Sequence, residues 1–408
     1  MLEKRPEDIT LDDIERLVTL SQPEDYQLDY KVSLNLQDRE AKKEFLRDVT
    51  SLANTYGGYL IIGIEEEEGV PTGNIPGLIV NNLDAFKLDI ENVIRDSIEP
   101  RLFAHTIRAF ELNPSSYVIA IHISKSWNPP HRPKTDQFYA RGSAGKFQLS
   151  VEQLRRVFTQ GAETLERTRR FFRERIYSIH SGDGPVQMSA STLKVILHVA
   201  PLASFEGRVN LPVGRQLLDS LETQMRPFTD PNGWNPGYNA DGLIWAFQRT
   251  EQGLTTGFYT QLLRNGIFEG AENCCIRAAS PAYGVQKIIP ATYIERETCK
   301  AVARYLWALQ HLKIEPPVIV SLCLAGIRGY SIQNSMRFLT QPEPLTVDPL
   351  LLPEVTIEDF SGVASSEASL AVQINIALKL KAAFDTLWQA FGFEGSVNYS
   401  DQSWNPRE

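Results

Sequence analysis

Asp29 and Lys31 lie two residues apart in Tyr26-Gln27-Leu28-Asp29-Tyr30-Lys31-Val32, an alternating stretch that predicts a strand. Residues two apart on a strand point to one face, so the carboxylate and the ammonium share a side. A carboxylate can hold a hard divalent cation, while a lysine stabilises the charge that develops when a phosphodiester breaks. Glu24 lies five residues before Asp29. Glu65 closes the apolar run Tyr59-Leu60-Ile61-Ile62-Gly63-Ile64 and could join Asp29 around one metal ion if the two strands are neighbours. The alternative is plain: charged side chains at the ends of buried strands stay solvated at little cost.

A second set of residues suits a polyanion. Arg132, Lys134, Arg141 and Lys146 surround the aromatic pair Phe138 and Tyr139. Such a loop can grip phosphates while a ring stacks on an unpaired base, or the rings can pack in a core. Arg155 and Arg156 open the densest basic run, which continues through Arg167, Arg169, Arg170, Arg173 and Arg175. Glu163, Glu166 and Glu174 offer internal partners, so this stretch also reads as a spacer helix.

The charge distribution matters more than its sum. The net charge is −9, yet residues 101–178 carry 14 Lys and Arg against 6 Asp and Glu, a net of +8. Residues 1–100 carry 10 against 22, a net of −12. Screening over about 10 Å lets a local basic segment act independently of a distant acidic one.

The elements that would position these residues are readable. Thr10 caps a short helix over residues 9–17, and Phe45, Leu46, Val49, Leu52 and Ala53 mark an amphipathic helix over 38–56. Gly57-Gly58 ends that helix before the apolar run, which predicts a strand buried on both faces. A helix over 83–98 follows, then strands over 105–112 and 117–124 joined by a hairpin turn, and a short strand over 137–141. Ser150 caps a long helix, interrupted near Gly161 and reaching about Ile179. Asn54 can bond the neighbouring loop, a structural role favoured over the alternative of substrate contact. No Gly-Lys-Ser/Thr follows the glycine pair, so the segment is not a phosphate-binding loop for ATP.

In order, Glu24-x4-Asp29-Tyr30-Lys31, Leu52-Ala53-Asn54-Thr55-Tyr56-Gly57-Gly58 and Tyr59 to Glu65 resemble the Schlafen Alba-like domain. Ile75-Pro76-Gly77-Leu78, Ile98-Glu99-Pro100, Pro130 and Phe138-Tyr139-Ala140-Arg141-Gly142-Ser143 continue the resemblance over about 155 residues. It implies an α+β fold, a mixed sheet flanked by helices, that binds RNA or DNA. Some members cleave tRNA or rRNA with a metal held by three carboxylates, which match Glu24, Asp29 and Glu65 here. On that reading these three hold Mg²⁺ or Mn²⁺ and Lys31 stabilises charge. Asp29 stands where the family usually has Glu, and Glu65 where Asp is commoner. Many prokaryotic relatives are known only as DNA-binding or regulatory proteins. Eukaryotic Schlafen cores pair two such lobes, so a homodimer is a further expectation.

The remainder says less. The expected division is a nucleic-acid domain over 1–160, a basic helical linker over 161–185, and a second domain of α/β or α+β type over 186–408. Strands are expected over 193–199, 240–247, 257–263 and 317–324, with helices over 295–312 and 367–391. Residues 361–366 read as a mobile link before the last helix. His122 and His198 sit inside apolar strands as core histidines. Cys274, Cys275, Cys299 and Cys323 lack zinc-ligand spacing and read as reduced thiols of a cytoplasmic protein. No apolar run is long enough to span a bilayer, and the start lacks the features of a signal peptide. The leading expectation is a nucleic-acid-binding protein with a metal-dependent endoribonuclease site. Its rivals are a non-catalytic DNA-binding regulator and an interaction scaffold.

Overall fold

The computed structural model describes residues 6–102, 105–143, 145–189, 192–221, 224–229, 233–251, 254–273, 287–332, 343–400 and 403–406. The chain divides into two compact units, Met1–Glu163 and Thr164–Glu408. Both are α+β.

In the first unit, α1 (Leu11–Thr19) begins at a capping box, in which Asp13 accepts from the Thr10 N–H and hydroxyl at 2.9 and 2.8 Å. Strand β1 (Leu28–Lys31) follows, then α2 (Arg39–Ala53), whose Asp38 cap accepts from the Ala41 N–H. Strand β2 (Gly57–Ile62) runs parallel to β1, with Asp29 opposite Leu60 and Lys31 opposite Ile62. Gly58 is indispensable there: a Cβ would lie 2.1 Å from the Gln27 carbonyl oxygen. A small hairpin, β3 (Glu66–Glu67) and β4 (Val70–Pro71), precedes β5 (Leu78–Ile79), α3 (Leu83–Ser97) and β6 (Ile98–Glu99). The hairpin β7 (His105–Asn113) and β8 (Ser116–Ser124) then returns, and β8 pairs antiparallel with β2.

Alternation along the strands sends side chains to two cores. Phe45, Val49 and Leu52 of α2 and Ile90 and Ile94 of α3 cover Leu60, Ile62, Ile119 and Ile121. Ile14, Leu17 and Val18 of α1 cover Leu28, Tyr30, Tyr59, Ile61 and Val118 on the other face. Each fully buried aliphatic side chain contributes about 1.5–3 kcal/mol, so the sheet is fixed from both sides. Strand β9 (Arg132–Pro133) pairs with β6, and β10 (Tyr139–Gly142) pairs with β11 (Gly145–Gln148).

Helix α4 (Val151–Ser181) starts at a reciprocal cap between Ser150 and Gln153. The expected interruption at Gly161 does not occur. One interior glycine costs about 1 kcal/mol, too little to break a helix with strong formers on both sides.

The second unit is built on an antiparallel sheet: β12 (Lys194–Pro201), β13 (Asn235–Tyr238), β14 (Gly242–Glu251), β15 (Leu254–Leu263), β16 (Phe268–Glu272) and the strand Val318–Ala325, which pairs with β12. The short helix α5 (Arg215–Leu221) and the longer α6 (Ala291–His311) and α7 (Leu370–Gln389) accompany it, and α6 and α7 supply much of its core, including Tyr305, Phe384 and Trp388. The expected mobile link over 361–366 is instead tied down. Val363 is buried, the Ser365 N–H donates to the Ala303 carbonyl at 3.1 Å, and Asn375 Nδ2 donates to the Gly362 carbonyl at 2.9 Å. Cys299 and Cys323 are buried free thiols; Cys274 and Cys275 lie outside the described residues. Among the described residues no helix is long and apolar enough to cross a membrane.

Candidate functional site

The alternation of β1 places Leu28 and Tyr30 toward α1 and leaves Asp29 and Lys31 for the face that α2 covers. Asp29 is 1% exposed. Its Oδ1 accepts from Lys31 Nζ at 2.8 Å and its Oδ2 from Arg141 Nη1 at 2.5 Å. Arg141 is buried, not a surface phosphate contact as the sequence led us to expect. Its Nε donates to the Asp25 carbonyl at 2.9 Å and its Nη2 to the Leu28 carbonyl at 3.1 Å, with Glu24 Oε2 3.7 Å from Nη2.

Asn54 explains why Arg141 is there. Its Nδ2 donates to the carbonyls of His131 and Tyr139 at 2.7 and 2.8 Å, and its Oδ1 accepts from the His131 N–H at 2.6 Å. Thr55 Oγ1 accepts from the Arg141 N–H at 2.8 Å. The end of α2 thus pins β10 and turns Arg141 toward β1, which confirms the structural assignment of Asn54.

Asp48 belongs to the same cluster and was missed. It lies 3.8 Å from Lys31 Nζ through Oδ2, while Oδ1 accepts from Lys146 Nζ at 2.5 Å. Lys146 also pairs with Glu44. Unlike Arg141, Lys146 is only partly buried, but its ammonium is held by two carboxylates rather than left for a phosphate as expected. The signal was available: Asp48 stands between Phe45 and Leu52, on the apolar stripe of α2, where a carboxylate needs a buried partner.

Electrostatics separate the acids. Burial, reinforced by nearby Asp29, pushes the Glu24 carboxyl up to about 7. Burial would also raise Asp29, but Glu24, Lys31 and Arg141 outweigh it and hold that carboxyl far below its usual range. Burial and the Asp29 charge lift Asp48 to about 6. Lys31 is raised despite its own burial, by Asp48 and Asp29.

Glu65 does not join them. Beyond Ile62, Gly63 takes a positive φ of 101°, and the Gly63 and Ile64 N–H groups both donate to the Lys31 carbonyl, at 2.7 and 3.3 Å, before the small hairpin β3–β4. The exposed Glu65 carboxylate accepts from Thr72 Oγ1 at 3.0 Å and Asn74 Nδ2 at 3.2 Å. Among the described residues, no group of three or more His, Cys, Asp or Glu is arranged to hold a metal ion. The acids that do meet are a poor fit for Mg²⁺ or Mn²⁺, because two fixed cations already occupy both oxygens of Asp29.

The remaining basic candidates face water. Lys134, Arg155 and Arg156 are exposed, and Arg132 is partly so, 3.5 Å from Glu99. Arg156 makes an exposed pair with Glu152 at 3.4 Å, an interaction worth little. Arg132 lies over the Phe138 ring, 5.4 Å from its centroid, and Phe138 meets Phe158 edge to face at 6.0 Å. Phe158 is 57% exposed and sits one turn beyond Arg155 on α4. Tyr139 instead packs beneath the Arg47 guanidinium. Further along α4, Arg175 is committed to Glu269 within the second unit. His122, half-buried against Tyr59, is pushed down to about 4 by burial. It has the character of a core histidine.

Residues 24–150 match the family described as Schlafen, AlbA_2, so the first unit carries a domain of that type. Among solved structures the chain is similar to the DIP2311 protein from Corynebacterium diphtheriae, at 19% identity over 34% of this chain and 26% of that one, with a TM-score of 0.25. It is also similar to the N-terminal domain of a RecG-related protein from Nitrosomonas europaea, at 14% identity over 28% of this chain and 72% of that one, with a TM-score of 0.22. The chain thus spans about a quarter of the length of the first of these. No curated protein matches.

Proposed function

We propose that the Schlafen AlbA_2-type domain, with the first turns of α4, is a nucleic-acid-binding module that stacks on unpaired bases and grips phosphates without cutting the strand. The observation that carries this is the platform of Arg132, Phe138 and Phe158, with Arg155 on the same face of α4. A large ring left mostly in water beside guanidinium groups suits a base, and stacking contributes about 1–3 kcal/mol per base. Lys134, Arg155 and Arg156 supply charge that would make binding salt-sensitive. The family match supports the same class of ligand.

A metal-dependent endoribonuclease acting on structured RNA such as tRNA is the second reading. Glu24 favours it, being partly exposed and poised near neutrality, as a proton-transferring group should be. It requires Glu65 to approach Asp29 and Arg141 to leave it.

Fluorescence anisotropy with labelled single-stranded RNA and DNA, at about 50 and 200 mM salt, tests binding; its affinity should fall steeply with salt. In parallel, tRNA is incubated with Mn²⁺ and the parent protein or its Asp29→Asn variant. We expect intact RNA in both. Cleavage by the parent alone would establish the second reading. Absence of binding at low salt would favour an interaction scaffold built on the C-terminal unit. Light scattering tests the homodimer expectation, which a single-chain mass removes.

A further inference from the structure

We infer that Arg141 is the resident cation of the Glu24–Asp29 pair: its guanidinium fills the place a divalent metal would need, and its removal turns that place into a cation site. Four oxygens surround this one side chain. Asp29 Oδ2, the Asp25 carbonyl and the Leu28 carbonyl accept from it at 2.5, 2.9 and 3.1 Å, and Glu24 Oε2 stands 3.7 Å away. Two carboxylates and two carbonyls are the donor set that Mg²⁺, Mn²⁺ or Ca²⁺ prefers. A guanidinium meets the same oxygens with a planar fork of N–H donors and carries its charge at every accessible pH.

The side chain cannot simply swing aside. Arg141 is 3% exposed, and its backbone N–H is tied to Thr55 Oγ1. The strand bearing it is held at Tyr139 by Asn54. Withdrawing the guanidinium would leave the buried Asp29 with only Lys31 as a cationic partner, a cost of the kind that keeps buried ion pairs together. The strut and the exclusion of metal are therefore one feature. This inference does not rest on the stacking platform, so either can fail alone.

The test uses the full chain and Mn²⁺ alone, read by the electron paramagnetic resonance signal of the free aqua ion. The wild type should leave that signal unchanged at stoichiometric metal. Arg141→Ala should take up about one Mn²⁺ per chain, roughly tenfold or more tighter than the wild type, and adding Glu24→Gln should weaken that uptake. Circular dichroism establishes that each variant is folded. If the alanine variant is not, Arg141→Gln, which is uncharged and too short to fill the place of the guanidinium yet can still hydrogen-bond, replaces it under the same expectations. Stoichiometric Mn²⁺ uptake by the wild type that Glu24→Gln abolishes would overturn the inference. So would a folded Arg141 variant that takes up no more metal than its parent.

Discussion

Each unit buries a carboxylate against a guanidinium, and the two clusters end differently. In the second unit Glu269 is fully buried, and Arg175 donates to both its oxygens at 2.7 Å. Tyr259 OH donates at 2.8 Å and His198 Nε2 lies at 3.1 Å, so both carboxylate oxygens are saturated. In the first unit the chain of charges runs from Asp29 through the half-exposed Lys31 to Asp48, whose Oδ2 lacks a hydrogen bond, and out to Lys146 and Glu44. One cluster is closed and the other opens toward the surface. A buried acid beside an arginine is therefore no sign of chemistry by itself; exposure and an unsaturated oxygen are what distinguish a site from a strut.

The largest effect is expected at the closed cluster. Arg175→Ala leaves the Glu269 carboxylate buried without its cation and should destabilise the second unit by about 3–5 kcal/mol, read by urea unfolding. A small shift would mean that Glu269 is not the anchor described. Acid should act at the same place. Burial would raise Glu269, but Arg175 and His198 hold it down at about 2, against 4.5 for an ordinary glutamate. A carboxyl depressed in the folded state stabilises the fold above its unfolded pKa. That contribution, on the order of 3 kcal/mol, should disappear as pH falls from about 4.5 toward 2. Unfolding curves of Glu269→Gln across that range should lack this step.

The open cluster gives smaller effects. Asn54→Ala removes two donated hydrogen bonds and one accepted one, and should cost roughly 2–3 kcal/mol while loosening β10. Hydrogen exchange should then rise over residues 139–142 and remain unchanged in the second unit. Phe158→Ala should leave stability nearly untouched, since the ring is mostly exposed, but weaken oligonucleotide binding by about 1–2 kcal/mol. Unchanged affinity would mean that the Phe158 ring does not stack on a base.

The same contrast shows what was legible in the chain. Helix α2, strand β2 and the β7–β8 hairpin follow from periodicity and turn residues, because their local preferences agree with their tertiary surroundings. Asp29 and Lys31 sharing a face follows from strand parity alone. Glu65 required the turn at Gly63, a backbone conformation that one glycine permits but does not announce. Arg141 was harder still. Its motif looks the same whether it faces solvent or Asp29, and the deciding contact is Asn54 reaching residues 77 and 85 positions away. The saturation of Glu269 was equally hidden, since Arg175, His198 and Tyr259 come from separate elements with no shared local signature.

Photocrosslinking a bromouridine-containing single-stranded oligonucleotide to the full chain, with the adduct located by mass spectrometry, addresses the binding surface most directly. Adducts are expected on peptides containing Phe138 or Phe158, reduced by Phe158→Ala and competed by salt. Adducts confined to the C-terminal unit, or clustered on the Glu24 and Asp29 segment instead, would show that the ring platform is not the binding surface.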